Sequence, residues 1–399
     1  MFKKLRLIVE HCTPQYIYAQ APIVGACVVD YGAQQFVYLR KILKPGMTIN
    51  VLDASQLIEH AVLFPHYIIV EPDFLVDISS IAGCFKEYGH HALNFTVSRL
   101  DKSETTQPIL LGNYAGAALD EIINERDGRS FNSQHSTVNI QQSVVKCFQS
   151  QPLEYITCPN FNSSQFKKDA IAQAHNIREI VRTLREKYDL DKAILEPTFV
   201  CEALGLQGRV DMMTTDFRLL IEQKSGKNFN LANSRVSDIG FHVESHYVQL
   251  LLYFSVLYFN FGVKKEEIDF YLLYSKYELP KGLLPVEFND NLIYEALMLR
   301  NQIVATDLMV AEKGFQSVRP YLRPEVLNVR GSQSKLWKEY QYPQLEQQLG
   351  VLHRSGGDAY AGMPLFRYSG ILLYKYFDAM DTFVYREQRA AWLGETNEQ

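Results

Sequence analysis

The segment from Gly205 to Lys227, GLQGRVDMMTTDFRLLIEQKSGK, constrains this chain more than any other stretch. Its apolar run Leu219-Leu220-Ile221 suits a buried strand, and Thr214-Thr215-Asp216 supplies a turn before it. Asp211 is therefore expected at the end of one strand, with Glu222-Gln223-Lys224 at the end of its antiparallel neighbour. Side chains alternate along a strand, so Glu222 and Lys224 share a face while Gln223 points away. Two carboxylates and an amine converge: Asp211, Glu222 and Lys224.

That convergence suits hydrolysis of a phosphodiester. Hard divalent ions such as Mg2+ or Mn2+ take oxygen ligands and keep several waters, so two carboxylates from adjacent strands make a partial shell. A lysine beside them can orient the attacking water or offset charge building on the phosphate. Taken alone, a glutamate and a lysine two residues apart are more often a surface salt bridge. The aspartate on the preceding strand, Gly208 before it and Ser225-Gly226 after the lysine weigh against that plainer reading.

Around this hairpin the chain divides by pattern. Residues 1–70 hold short β-rich runs at 23–30, 35–39, 48–52 and 67–71, punctuated by Tyr31-Gly32-Ala33 and Pro45-Gly46, and are expected to form a small barrel-like, OB-like unit. Residues 71–290 carry helical spacing at 112–125, 166–187 and 244–261, and strand runs at 198–203, 209–213, 217–223 and 268–274. The expected fold class is α/β, a mixed sheet flanked by helices, with residues 291–399 as a mainly helical C-terminal region. A net charge of -5 excludes a globally basic nucleic-acid coat and leaves any DNA contact to local patches. Six cysteines without a CxxC pair argue against a disulfide framework or a zinc ribbon. The start, MFKKLRLIVEHC, is too short in apolar residues for a secretory leader, and no run reaches membrane-spanning length, so a cytoplasmic location is expected.

Three motifs resemble those of the RecB-type branch of the PD-(D/E)XK nucleases: Gly208-Arg209-Val210-Asp211, then Glu222-Gln223-Lys224, then Gln249-Leu250-Leu251-Leu252-Tyr253. Within that branch the chain is similar to the nuclease domain of the eukaryotic replication and end-resection helicase-nuclease and to bacterial proteins of like layout, with residues 71–85, 110–122 and 196–211 as supporting segments. The resemblance implies a restriction-endonuclease-like core acting on single-stranded DNA ends or flaps in DNA repair, replication or defence. It implies Mg2+ or Mn2+ on Asp211, Glu222 and the Gln223 backbone carbonyl, Lys224 as the catalytic amine, and Gln249 and Tyr253 at the substrate. It also implies a superfamily-1 helicase, in trans or in a missing C-terminal portion, since the chain has no GxxxxGK[ST] loop. Lys227, beside the second motif, is a candidate phosphate contact.

Two departures from that pattern matter. Where the family carries a metal-binding histidine on a helix, this chain has Gly116; Asp120, one turn further on the same face, is a candidate ligand directly or through water, against the plainer reading of a solvated aspartate. Relatives often hold an iron-sulfur cluster with one cysteine before the core and three after it. Cys84 matches the first, but nothing follows Cys201, so no cluster is expected and Cys84 reads as a packing residue. The loss at Gly116 keeps open an alternative, a catalytically degenerate DNA-binding or helicase-docking module. Lys167, Lys168, Arg178, Arg182 and Arg235 read as solvated faces, and His242 with His246 as a weak metal pair. Trp337, Tyr340 and Tyr342 read as core before base-stacking residues.

Overall fold

The computed structural model describes residues 2–22, 24–56, 62–100, 105–125, 139–228 and 243–354. The N-terminal strands are β1 (Phe2–Cys12), β2 (Tyr16–Ala21), β3 (Gly25–Asp30), β4 (Thr48–Gln56), β5 (Val62–Phe64) and β6 (Tyr67–Val70). Alternate residues, among them Leu7, Val9, Ile17, Ala19, Val29, Ile49 and Val51, bury inward. Because β1 pairs with both β2 and β4, the order β1-β2-β3-β5-β4-β1 closes a five-stranded barrel, and β6 continues β5 along the same edge of β4 in the same register.

The parallel β3–β5 pair requires a crossover, and the chain between them contains β4 and a 3-10 helix, Gln34–Lys41. Residues 35–39, expected as a strand, lie in that helix. Phe36 and Leu39 are both buried and stand three apart; a strand would send them to opposite faces, whereas a three-residue turn puts them on one.

The rest of the chain begins with β7 (Val76–Asp77), α1 (Ile78–Ala82), the small hairpin β8 (Phe85–Lys86) and β9 (Gly89–His90), α2 (Leu93–Leu100) and α3 (Gln107–Ile123). It continues with α4 (Ile140–Ser150), α5 (Pro152–Thr157), α6 (Ser163–Lys187), β10 (Ala193–Leu195), β11 (Thr198–Cys201), β12 (Leu206–Arg209), β13 (Met212–Thr214) and β14 (Leu219–Lys224). Then follow α7 (Glu244–Phe261), β15 (Asp269–Tyr274), β16 (Leu283–Pro285), α8 (Asp290–Lys313), α9 (Pro324–Leu327) and α10 (Tyr342–Arg354).

A five-stranded sheet runs β10-β13-β14-β15-β16, antiparallel except for β14–β15, whose parallel pairing α7 makes possible by carrying the chain back. Leu219 and Ile221 face α3 and α6, while Leu220 and Leu272 face α7, so the central strands are apolar on both sides. A smaller sheet runs β11-β12-β7. The run 209–213, expected as one strand, is therefore two elements in different sheets, and Asp211 stands at the step between them. Its backbone is held by tertiary partners: the Glu196 amide donates to the Asp211 carbonyl at 2.9 Å and the Tyr253 hydroxyl to the Arg209 carbonyl at 2.5 Å.

Barrel and main sheet share one apolar core, to which α8 contributes Ile293, Leu297, Ile303 and Val304. From α8 the wholly buried Arg300 donates to the carbonyls of Val70, Glu71, Phe74 and Gly205, tying the end of the barrel to the start of β12. Gly205 has φ +60° and a side chain there would collide with that guanidinium, so the position calls for glycine on both counts. On the barrel side, Asn50 donates to the carbonyls of Glu202 and Ala203 at 3.0 Å each. A second core lies between α3, α4, α6 and the far face of the sheet, and a third joins α2 to α9 and α10. No described helix is long and apolar enough to cross a membrane.

Candidate active site

Strand alternation sends Glu222 and Lys224 to the α7 side of β14. There Lys224 Nζ donates to Glu222 Oε1 at 2.7 Å and to Gln249 Oε1 at 3.1 Å, while Gln249 Nε2 donates to the same Glu222 oxygen at 2.6 Å. The three side chains form a closed triangle. Gln223 points the other way, donating to Ser275 Oγ at 3.0 Å; that hydroxyl in turn donates to Gln173 of α6 at 2.6 Å. The Gln223 amide donates to Asp211 Oδ2 at 2.5 Å. A strand residue turns its N–H and C=O to the same side, so the Gln223 carbonyl also faces Asp211.

The electrostatics of this corner are strained. Glu222 is 3% exposed, and burial, with the Asp211 charge behind it, pushes its pKa up to about 8 against the pull of Lys224. Its Oε2 has no hydrogen-bond partner. Burial also raises Asp211, opposed by Lys224 and the Gln223 amide. Asp120, on α3, is pushed up to about 6 by burial and then by the charges of Glu196 and Asp211, which places it at the edge of the same field.

Gly112, Gly116 and Asp120 recur every four residues along one face of α3. A methyl group at Gly112 would lie 3.1 Å from Ser225 Oγ, whereas one at Gly116 would meet nothing within 4 Å. Gly116 thus leaves open space on the α3 face that runs from Ser225 to Asp120.

One contact of Asp211, with Glu196, lay beyond the sequence reading. Glu196, with φ 50°, pairs through its carboxylate with Arg209 Nη1 at 3.0 Å and through its amide with the Asp211 carbonyl. β10 is three residues long, too short to carry a pattern that announces its pairing with β13.

Gln249 and Tyr253 are 7% and 2% exposed, and their polar atoms are engaged by Glu222, Lys224 and the Arg209 carbonyl. They therefore hold the site's own groups in place. Gly208 is part of that arrangement, since a methyl group there would lie 3.0 Å from the Tyr253 ring. Lys227 is exposed just beyond β14. His246 Nδ1 lies 3.0 Å from the Tyr274 hydroxyl, while His242 and Arg235 fall outside the described residues. Lys167, Lys168 and Arg182 lie on the exposed side of α6, and Arg178 pairs with Glu125. Trp337 is buried against Tyr88 and Tyr342, Tyr340 is exposed, and Cys84 is buried.

Among the described residues no group of three or more His, Cys, Asp and Glu side chains is set to hold a metal ion. The oxygen donors at hand are the Asp211 and Glu222 carboxylates and the Gln223 carbonyl. An unpartnered buried carboxylate oxygen beside a second carboxylate fits a hard divalent ion that keeps most of its waters.

No known family description matches this chain, and neither does any curated protein. Among solved structures it is similar to a Eubacterium rectale protein provisionally named an exonuclease, at 16% identity and TM-score 0.37, over 61% of this chain and 83% of that one. It is also similar to the protein SSO0001, at 14% identity and TM-score 0.20, over 51% of this chain and 93% of that one. At that level of likeness the function rests on the site itself.

Proposed function

We propose that this protein is a metal-dependent nuclease of the RecB-type PD-(D/E)XK class, hydrolysing phosphodiester bonds in single-stranded DNA ends or flaps in repair, replication or defence, alongside a superfamily-1 helicase. The Glu222 carboxylate carries the reading: it is buried beside Asp211 with one oxygen left without a partner. A purely structural ion pair would satisfy both oxygens, because an unpaired buried acceptor costs about 1–3 kcal/mol.

Asp211, Glu222 and the Gln223 carbonyl would hold Mg2+ or Mn2+, with Asp120 reaching it directly or through water. When bound, such an ion supplies charge neutralisation at the phosphate and a more acidic water. Lys224, kept in place by Glu222 and Gln249, orients the attacking water and offsets negative charge as the phosphorus gains its fifth oxygen. Tyr253 steadies the backbone that leads into Asp211. Lys227 meets a neighbouring phosphate of the strand.

The test is cleavage of a labelled single-stranded DNA by the purified chain with Mn2+, beside Asp211→Ala and Lys224→Ala proteins. Cutting by the wild type alone supports the proposal. Equal cutting by Lys224→Ala, or none by the folded wild type, rejects hydrolysis at this site. Gly116 favours a second reading, a DNA-binding or helicase-docking module without cleavage. DNA binding that needs no metal, together with no heat of metal binding, would support that one.

A further inference from the structure

At the seam between barrel and core, remote from Glu222, a cleft of about 280 Å³ is lined by residues from both. Asp53 and Tyr67 come from the barrel strands, Tyr258 from the C-terminal part of α7, Phe288 from the approach to α8, and Lys264 and Lys265 from the loop between α7 and β15. Tyr258 is nine residues beyond Gln249 on α7, about 14 Å along the helix axis at 1.5 Å per residue. The cleft is therefore separate from the carboxylate corner.

Its chemistry is of three kinds. The rings of Tyr258 and Phe288 stand half-buried along it and Tyr67 is buried, and a cation already lies against each of the first two, Lys3 Nζ 4.9 Å from the Tyr258 ring centre and Lys265 Nζ 5.0 Å from the Phe288 ring centre. Lys264 and Lys265 are exposed at the rim and offer positive charge. Asp53 is half-buried, its carboxylate faces the Tyr258 side chain, and burial raises its pKa. Asp290, engaged by the Tyr67 hydroxyl at 2.9 Å, and Glu266 also line the cleft, but both are exposed, so Asp53 is its half-buried acidic group. Asp53 also holds φ 47° near the end of β4, a left-handed conformation that costs energy and often marks a ligand clamp.

A purely apolar ligand would leave Asp53 and the lysines unmatched, and a metal ion would have no use for the rings. A flat ring with an N–H donor edge and an attached anion matches all three. We infer that this cleft binds a guanine nucleotide, its N1 and N2 hydrogens donated to Asp53, its ring between aromatic side chains and its phosphate at Lys264 and Lys265. Adenine and cytosine present one amino group at the corresponding edge, so guanine alone among the common bases gives a carboxylate two parallel bonds. The nucleotide is either free in solution or part of a DNA strand.

The test is calorimetry on the full chain without metal, so its outcome is independent of cleavage. GMP, AMP, CMP, d(TTTGTTT) and d(TTTTTTT) are titrated into the wild type, Asp53→Asn and the double variant Lys264→Ala/Lys265→Ala. Asparagine tolerates the same left-handed backbone, so the first variant removes charge without new strain, and the two lysines are exposed. The expected result is binding of GMP, or of d(TTTGTTT) over d(TTTTTTT), at about 1 mM or tighter, weakened at least about tenfold in Asp53→Asn and in the lysine variant. GMP binding marks the free nucleotide as the source, and binding of the G-containing strand alone marks the DNA. The inference is overturned if neither binds, if AMP or CMP binds as tightly as GMP, or if a folded Asp53→Asn protein binds undiminished.

Discussion

Replacing Glu222 with glutamine should stabilise the metal-free protein at alkaline pH, and the size of the effect follows from where that carboxylate sits. In the unfolded chain a glutamate ionises near 4.5, whereas in the fold burial and the Asp211 charge push it up to about 8. A group whose folded pKa is raised contributes fully below the lower value, and its contribution is lost as pH rises through the upper one. Each tenfold step is worth about 1.4 kcal/mol, so forcing the buried charge at pH 9 corresponds to on the order of 5 kcal/mol. Glutamine keeps the side-chain shape and the Oε1 acceptor that Gln249 and Lys224 use, without the charge. With about 2 °C per kcal/mol in a large domain, the variant should melt about 10 °C above the wild type at pH 9 and level with it at pH 5. Thermal melts followed by circular dichroism in EDTA, from pH 5 to 9, read this directly. Saturating Mn2+ at pH 8 should then raise the wild type by preferential binding to the fold, and the variant little. A wild-type melting temperature independent of pH across this range, or a Glu222→Gln protein less stable at pH 9, would refute the reasoning.

The α3 face and the second motif yield three further expectations. Gly116→His places an imidazole in open space on the α3 face between Ser225 and Asp120, and calorimetry should show Mn2+ bound at least tenfold tighter, about 1.4 kcal/mol, with the fold retained. Unchanged affinity would mean that this face does not reach the ion. Gly208→Ala drives a methyl group to 3.0 Å from the Tyr253 ring and 3.3 Å from Ile78 Cβ, and denaturant unfolding should register a loss of about 1–3 kcal/mol. Tyr253→Phe removes one hydrogen bond to the Arg209 carbonyl, so stability should fall by about 1 kcal/mol while DNA affinity stays as it was; a large drop in affinity would instead make Tyr253 a substrate contact.

Local pattern was enough for the elements whose signals are local. The helix from Glu244 to Phe261 is legible because apolar residues recur at helical spacing, and Gly262 closes it in the left-handed conformation that glycine adopts most readily. The pairing of Glu222 with Lys224 is legible because alternation on a strand is a property of the backbone alone. Residues 35–39 misled because a short apolar run carries no period, and only the burial of both Phe36 and Leu39 under the barrel selects a three-residue turn.

What the amino-acid sequence determined by itself was a mixed α/β chain with a carboxylate-bearing hairpin and the helix that packs on it. Tertiary structure decided the rest, for one physical reason: the deciding contacts join residues far apart in the chain, which no local spacing encodes. The β1–β4 pairing closes the barrel, Arg300 ties it to Gly205, and Glu196 reaches Asp211 through a strand of three residues. Gln249 and Tyr253 turn inward because Glu222, Lys224 and the Arg209 carbonyl wait for them across the sheet. The buried, half-satisfied carboxylate on which the proposed chemistry rests exists only once those distant partners have met.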